Sequence, residues 1–304
     1  MYQQFFGLTE APFSLTPDTG FVYRHTGHQA AVNDLLASLQ SGEGFVAVIA
    51  EVGSGKTLLC RKLLSLLPEN WASAYLSNPL LTPIELYRSI ARELGLQVQN
   101  SESLEELQQQ IFECLICVYE EKGQTVILID EAQAMSQSSL EALRLLSNLE
   151  TEKKKLLQIV FFAQPEFEVR LSQHALRQLR QRITFVCQLK PILSTELEGY
   201  LLHRMQIAGH NGPSPFSVRA VRKIFRHSGG SPRLVNILAH KALLAAYGKG
   251  APGVAAKEVE RAVADTFSKS STGTLSIGYS RFLVGFISSL GLALISILLL
   301  RGMT

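Results

Sequence analysis

The sequence predicts an α/β fold: a parallel sheet covered by helices on both faces, then a smaller all-helical region, then one hydrophobic helix near the C-terminus. Three observations carry this expectation. Up to residue 190, short and almost wholly apolar runs alternate with helical segments. Beyond Pro191 only helical patterns follow. Residues 282–300, FLVGFISSLGLALISILLL, contain no charged residue and are flanked by Arg281 and Arg301. Continuous apolar runs, as opposed to alternating ones, suit strands buried on both faces of a parallel sheet.

In chain order, the β-like runs are FVAVIA (45–50), WASAYLS (71–77), TVILID (125–130), LLQIVFFA (156–163) and ITFVCQL (183–189). Helices are expected at 83–95, at 138–150 and from 165. Thr82, Pro83 and Glu85 supply a cap, a first-turn proline and a carboxylate that reaches back, while Ser103 with Glu106 and Ser138 with Glu141 repeat the capping box. The later helices are read at 195–208, 216–227, 231–247 and 255–267. The expected organisation is a nucleotide-binding core over 1–190, a helical lid over 191–267, a linker over 268–281 and a transmembrane helix over 282–300. Nineteen residues at 1.5 Å each make a helix about 28 Å long, close to the roughly 30 Å hydrocarbon core of a bilayer.

The 304 residues are 46% hydrophobic and 18% charged, which supports substantial cores. A formal charge of +3 marks no global affinity for polyanions. Cys60, Cys114, Cys117 and Cys187 are too few and too irregular for a disulfide framework. Cys114 and Cys117 form a CxxC inside IFECLICVYEE, read as two buried thiols of an amphipathic helix and not as a metal site. The opening MYQQFFGLTEAPF lacks the pattern of a signal peptide, so the bulk of the chain is expected in the cytosol.

The chemistry is concentrated in two segments. AEVGSGKT (Ala50, Glu51, Val52, Gly53, Ser54, Gly55, Lys56, Thr57) lies between a strand and a helix, where a phosphate-binding loop belongs. Gly53 and Gly55 let successive N–H groups and the helix N-terminus face phosphates. Lys56 reaches the β and γ phosphates of ATP, and the Thr57 hydroxyl ligates Mg²⁺. Ala50 stands where the strict pattern has glycine. TVILIDEAQ then ends a strand with Asp130, assigned to the metal shell, and Glu131, assigned to the attacking water.

Gln164 follows its strand as Asp130 follows its own; its amide either touches the γ-phosphate or water, or simply starts a helix before Pro165. Among Arg177, Arg180 and Arg182, which otherwise read as solvated helix charges, one can serve a neighbouring subunit's phosphate, and Arg182, immediately before the strand, is the candidate. Arg233, at the start of a lid helix, is assigned to sensing the same phosphates.

AEVGSGKT, VILIDEAQ, FFAQPE, LRQRI and GGSPRLVN, with the opening FFGLTEAPFSLTPDTGFVY, resemble the AAA+ ATPases of the ExeA/GspA group that assist type II secretion. The resemblance is nearest to the branch serving mannose-sensitive haemagglutinin (MSHA) type IV pilus biogenesis. It implies a P-loop AAA+ core with a C-terminal helical lid and a transmembrane helix. It also implies ATP and Mg as cofactors, self-association, and inner-membrane pilus or secretion assembly proteins as partners. The expected location is the bacterial inner membrane, single-pass, with the ATPase domain cytoplasmic. Secretion members continue into a periplasmic wall-binding domain, a role not transferred to a sequence that stops at Thr304. The alternative is a DNA-associated ATPase of the transposition-helper or initiator kind. Arg219, Arg222, Lys223 and Arg226 on one helix face favour it, whereas the low net charge and the apolar span make nucleic acid the less favoured partner.

Overall fold

The computed structural model describes residues 2–15, 19–21, 26–121, 123–149 and 155–268. After a short helix α1 (Tyr2–Phe5) and α2 (Thr26–Gln40), the chain alternates: β1 (Phe45–Ile49), α3 (Lys56–Leu64), β2 (Ala72–Leu76), α4 (Pro83–Glu93), α5 (Leu104–Glu120), β3 (Thr125–Ile129), α6 (Gln137–Leu146), β4 (Leu157–Ala163), α7 (Glu166–Leu171), α8 (Arg177–Arg182) and β5 (Ile183–Gln188). Four helices follow, α9 (Leu197–Ile207), α10 (Val218–Ser228), α11 (Pro232–Tyr247) and α12 (Ala256–Ser268).

The five strands form one parallel sheet in the order β2-β3-β4-β1-β5. β1, β3 and β4 are buried throughout. Side chains of a strand alternate between faces, so each central strand feeds two cores. Phe45, Ala47, Ile127, Ile129, Ile159 and Phe161 pack with α4, α5 and α6. Val46, Val48, Val126, Leu128, Val160 and Phe162 pack with α2 and α3. Apolar runs without alternation are what this two-sided burial requires.

Local signals fix most helix starts. Ser103 Oγ accepts from Glu106 N at 3.2 Å and Glu106 Oε2 accepts from Ser103 N at 2.7 Å, while Glu85 Oε2 accepts from Thr82 N at 2.8 Å. The expected box at Ser138 and Glu141 is corrected. Ser136 Oγ accepts from Ser139 N at 3.0 Å, so the helix begins two residues earlier, and Glu141 pairs with Arg144 instead. The expected burial of both CxxC thiols is corrected as well: Cys114 is half-buried and Cys117 exposed, because the apolar stripe of α5 runs through Leu107, Ile111 and Leu115.

The N-terminal residues, grouped with the core on sequence grounds, share the apolar cluster of the C-terminal helices. Tyr2, Phe6, Leu8, Phe13 and Phe21 pack with Leu197, Leu201, Val235, Leu238 and Leu243. Polar contacts tie the segment along α9 and α11. Thr9 N donates to Ala208 O at 2.8 Å, Arg204 Nε to Pro12 O at 2.6 Å, and Tyr2 Oη lies 3.0 Å from His240 Nδ1. Residues 1–263 form one compact unit. On α10, Arg219, Arg222 and Arg226 are exposed, while Lys223 pairs with Glu260.

Among the described residues no helix is long and apolar enough to cross a membrane. The longest, α5, has 17 residues and carries Glu105, Glu106, Glu113 and Glu120; its apolar stripe is used on the sheet. The expected single-pass inner-membrane location is corrected on this finding. The expected span at 282–300, and the expected linker beyond Ser268, lie outside the described residues.

Phe13 is 3% exposed and stands edge-on to Phe216, with centroids 5.9 Å apart. Phe13→Ala is expected to cost about 3–5 kcal/mol, seen as a lower denaturant midpoint for the helical region. An unchanged midpoint would show that the N-terminal segment is not part of that core.

Candidate active site

The site forms at the C-terminal ends of the strands, where open α/β sheets bind ligands. β4 lies between β3 and β1 and runs two residues past the end of β3, since Ile129 pairs with Phe161 whereas Ile49 pairs with Ala163. The residue after β4, Gln164, therefore falls between the loop that follows β1 and the carboxylates that follow β3.

That loop turns through two left-handed glycines, Gly53 at φ 76° and Gly55 at φ 96°, a region L side chains avoid. A Cβ on Gly53 would lie 2.3 Å from Arg233 Cβ, and one on Gly55 would lie 2.8 Å from His28 Cε1. Ala50 is buried and its N–H donates to Ala163 O at 3.0 Å, so alanine is accommodated at the loop's first position. Lys56 opens α3 and is 4% exposed. Its Nζ donates to Ala50 O at 2.7 Å and to Glu51 O at 3.0 Å. Burial pushes its pKa down, against the opposing pull of Glu131, Asp130, Glu51 and Glu166. A buried ammonium whose hydrogen bonds go to two neutral carbonyls keeps its charge available for an anionic ligand. Ser54 Oγ, buried in the same loop, has no hydrogen-bond partner among the described residues, a second feature that fits a phosphate.

Thr57 Oγ1 donates to Asp130 Oδ2 at 2.7 Å, which brings together the two residues assigned to the metal. A hydroxyl and a carboxylate are hard oxygen donors of the kind Mg²⁺ takes, with water and phosphate oxygens completing its shell; the pair fits that ion. Tyr75 Oη also reaches Asp130 Oδ2, at 3.4 Å; burial, then the Asp130 charge, pushes the phenol up to about 12.

Glu131 sits at φ 52° and ψ 39°, the left-handed region, and is the one described non-glycine residue there. Such a backbone costs about 1–2 kcal/mol, and neighbouring bonds hold it. Glu131 Oε2 accepts from Gln164 Nε2 at 2.8 Å and from Gln133 Nε2 at 2.5 Å, while Gln133 Oε1 accepts from Gln164 N at 3.0 Å. Burial raises the Glu131 pKa, but the two amides and Lys56 outweigh it and hold the carboxyl below its usual range. It is an anion at neutral pH. Arg170 clamps this turn by donating to Gln133 O and, at 2.7 Å, to Met135 O.

Arg233 N donates to Gly53 O at 3.1 Å, so the start of α11 rests on the loop. Both line a cleft of about 340 Å³, together with Lys56, Thr57 and Glu131 at one end and Phe21, Tyr200 and Asn236 elsewhere. Arg182 is not brought to this site. Its guanidinium donates to Ser147 Oγ at 2.7 Å and to Asn148 Oδ1 at 2.5 Å. Its neighbour Ile183 pairs with Phe45, the first residue of β1. Five strand residues, roughly 16 Å, therefore separate it from its own loop. Arg177 and Arg180 are exposed.

Residues 39–171 match the family model of the AAA domain. Over 285 residues, 94% of this chain, the sequence is 39% identical to general secretion pathway protein A of Aeromonas hydrophila. Residues 39–171 thus carry an AAA domain, and most of the chain is similar to general secretion pathway protein A. It spans 52% of that relative, about half its length. Among solved structures, Cdc6p from Pyrobaculum aerophilum superposes with a TM-score of 0.64 at 18% identity, covering 83% of this chain and 69% of that one. Aeropyrum pernix ORC2, in ADPNP-ADP complexes, gives 0.58 at 17%, covering 82% and 72%. At such identities these two show a shared fold.

Sequence reasoning missed Gln133, Tyr75, His28 and Arg170. Gln133 stood inside the quoted VILIDEAQ, two residues after Glu131, and that spacing was the available signal. Gly53→Ala is expected to weaken nucleotide binding at least about tenfold, through both its positive φ and the clash with Arg233. Titration with a fluorescent ATP analogue reads this, and undiminished affinity would remove the loop-to-α11 contact from the site.

Proposed function

We propose that this AAA+ chain binds ATP with Mg²⁺ and hydrolyses it to drive assembly or remodelling of a pilus or secretion machine. MshM, the ATPase of MSHA pilus biogenesis, is the finer likeness. The observation that carries the reading is the Thr57–Asp130 contact at 2.7 Å directly beside Glu131 and its amide partners.

The geometry supports the following roles. Lys56 and the loop N–H groups hold phosphate oxygens. Thr57 and Asp130 hold the metal, which when bound neutralises charge on the phosphates. Glu131, ionised, accepts a proton from the attacking water and orients it. Gln164 and Gln133 hold that carboxylate in place, and Gln164 is within reach of whatever it faces. Arg233 connects the occupied loop to the lid through the backbone bond at Gly53.

Lys56→Ala is expected to abolish nucleotide binding, whereas Glu131→Gln should keep binding and lose turnover by about 100-fold or more, the order expected for general-base catalysis. Binding of a fluorescent ATP analogue beside a phosphate-release assay separates the two. Normal turnover in Glu131→Gln would sink the assignment.

Self-association belongs to the same proposal. Arg182 lies at the end of the strands away from its own loop, so any phosphate it meets is on another subunit. Arg182→Ala should bind ATP normally and hydrolyse slowly, and activity should return on mixing with Lys56→Ala subunits. No recovery in mixtures shown to form mixed oligomers would rule out action between subunits.

A further inference from the structure

The turn that follows Glu131 is fastened from outside by a side chain that the proposed chemistry leaves unused. Residues Ala132–Ala134 make this single turn, and its own backbone bonds run from Ala134 N to Glu131 O at 2.9 Å and from Met135 N to Ala132 O at 3.2 Å. Arg170, on α7, spans it: Nη1 donates to Gln133 O, and Nη2 donates to Met135 O at 2.7 Å. Arg170 forms no ion pair with a described carboxylate. Its planar fork is therefore committed to two neutral carbonyls of one turn.

The next link is the Gln133 amide, whose direction is fixed at both ends. A backbone N–H only donates, so the atom that faces Gln164 N at 3.0 Å is the amide oxygen. An ionised carboxylate only accepts, so the atom that faces Glu131 Oε2 is the amide nitrogen. Turned over, the amide would set donor against donor and acceptor against acceptor. Gln164 Nε2 reaches the same Glu131 oxygen at 2.8 Å. Two donors thus occupy the lone pairs of Oε2, whereas Oε1 has no hydrogen-bond partner among the described residues. Glu131 lines the cleft, and Gln133, Gln164 and Arg170 do not.

We infer that Arg170 and Gln133 are positioning residues for hydrolysis that act in series: Arg170 sets the turn, the turn sets Gln133, and Gln133 reserves one Glu131 oxygen so that the other meets the water. The inference rests on the ATPase reading above. As the water oxygen bonds to the terminal phosphorus and the bond from phosphorus to the ADP oxygen breaks, one water proton passes to Oε1. A carboxylate free to rotate offers that lone pair only part of the time, and reacting groups held out of line lose rate steeply. Neither positioning residue lines the cleft, so nucleotide affinity does not depend on them.

The test is phosphate release by the full chain with Mg²⁺, beside titration with a fluorescent ATP analogue. Gln133→Leu removes both amide bonds and Arg170→Met removes the fork. Each should lower kcat at least about tenfold, while KM for ATP and analogue affinity stay as in the unmodified chain. Arg170→Lys keeps the charge but not the fork, so it should resemble Arg170→Met. Because the links act in series, Arg170→Met with Gln133→Leu should cost no more than the costlier single change. Neither change should slow the residual single-turnover rate of Glu131→Gln any further, whereas loss of mere support for the fold would slow every background alike. Losses that multiply in the double variant, a further loss in the Glu131→Gln background, or full turnover in either single variant would overturn the inference. Analogue affinity that falls in step with kcat would assign both residues to folding and overturn it as well. No turnover in the unmodified chain, or normal turnover in Glu131→Gln, would instead bring down the ATPase reading and this inference with it.

Discussion

The structure depends on a close approach between two backbones. Gly53 O accepts from Arg233 N at 3.1 Å, and there is no room for a Cβ on Gly53. The glycine loop after β1 and the start of α11 therefore share one hydrogen bond, with no side chain between them. A shift of the loop by a few tenths of an ångström is transmitted to α11, because packed interiors yield little. Pro232, with its φ preset for a helix start, places the first N–H groups of α11 at that junction.

Charge is arranged around the same junction with unusual economy of partners. Lys56 is nearly enclosed and its pKa is lowered by burial, while Asp130 and Glu131 supply the opposing sign. Glu131 is the more exposed carboxylate, and its two amide donors fix its direction without neutralising it. Neutral donors suit the proposed role of Glu131 as proton acceptor: a cation in their place would lower its basicity further. The left-handed backbone at Glu131 is the local cost of aiming the carboxylate back at the loop.

The N-terminal segment has a structural purpose that accounts for its FGL and PF residues. Phe6, Leu8 and Phe13 are buried in the helical cluster, and Pro12 O is held by Arg204. The same arginine contacts Phe21 and Tyr200, so one buried cation joins the segment to the far end of the cleft. In this way residues far apart in sequence, at positions 21, 200, 204 and 236, line one cleft.

Much of this was legible from local patterns. The five strands fall within a residue or two of their apolar runs, because burial on both faces demands apolar residues at every position. Lys56, Thr57, Asp130, Glu131 and Gln164 were legible as a set because each follows a strand, and parallel strands deliver their C-terminal ends to one edge. The Ser138 cap was misplaced because three neighbouring serines, Ser136, Ser138 and Ser139, offer the same chemistry to one helix start. Sequence by itself determined the sheet, the loop and the carboxylates, each of which is signalled by a few consecutive residues. Tertiary structure alone decided that Arg182 stands at the opposite end of the strands from its own loop, that Gln133 joins Glu131 to Gln164, and that Arg204 is buried against Pro12 and Phe21. Those facts depend on strand order and on packing between segments up to 192 residues apart, and no local propensity encodes either.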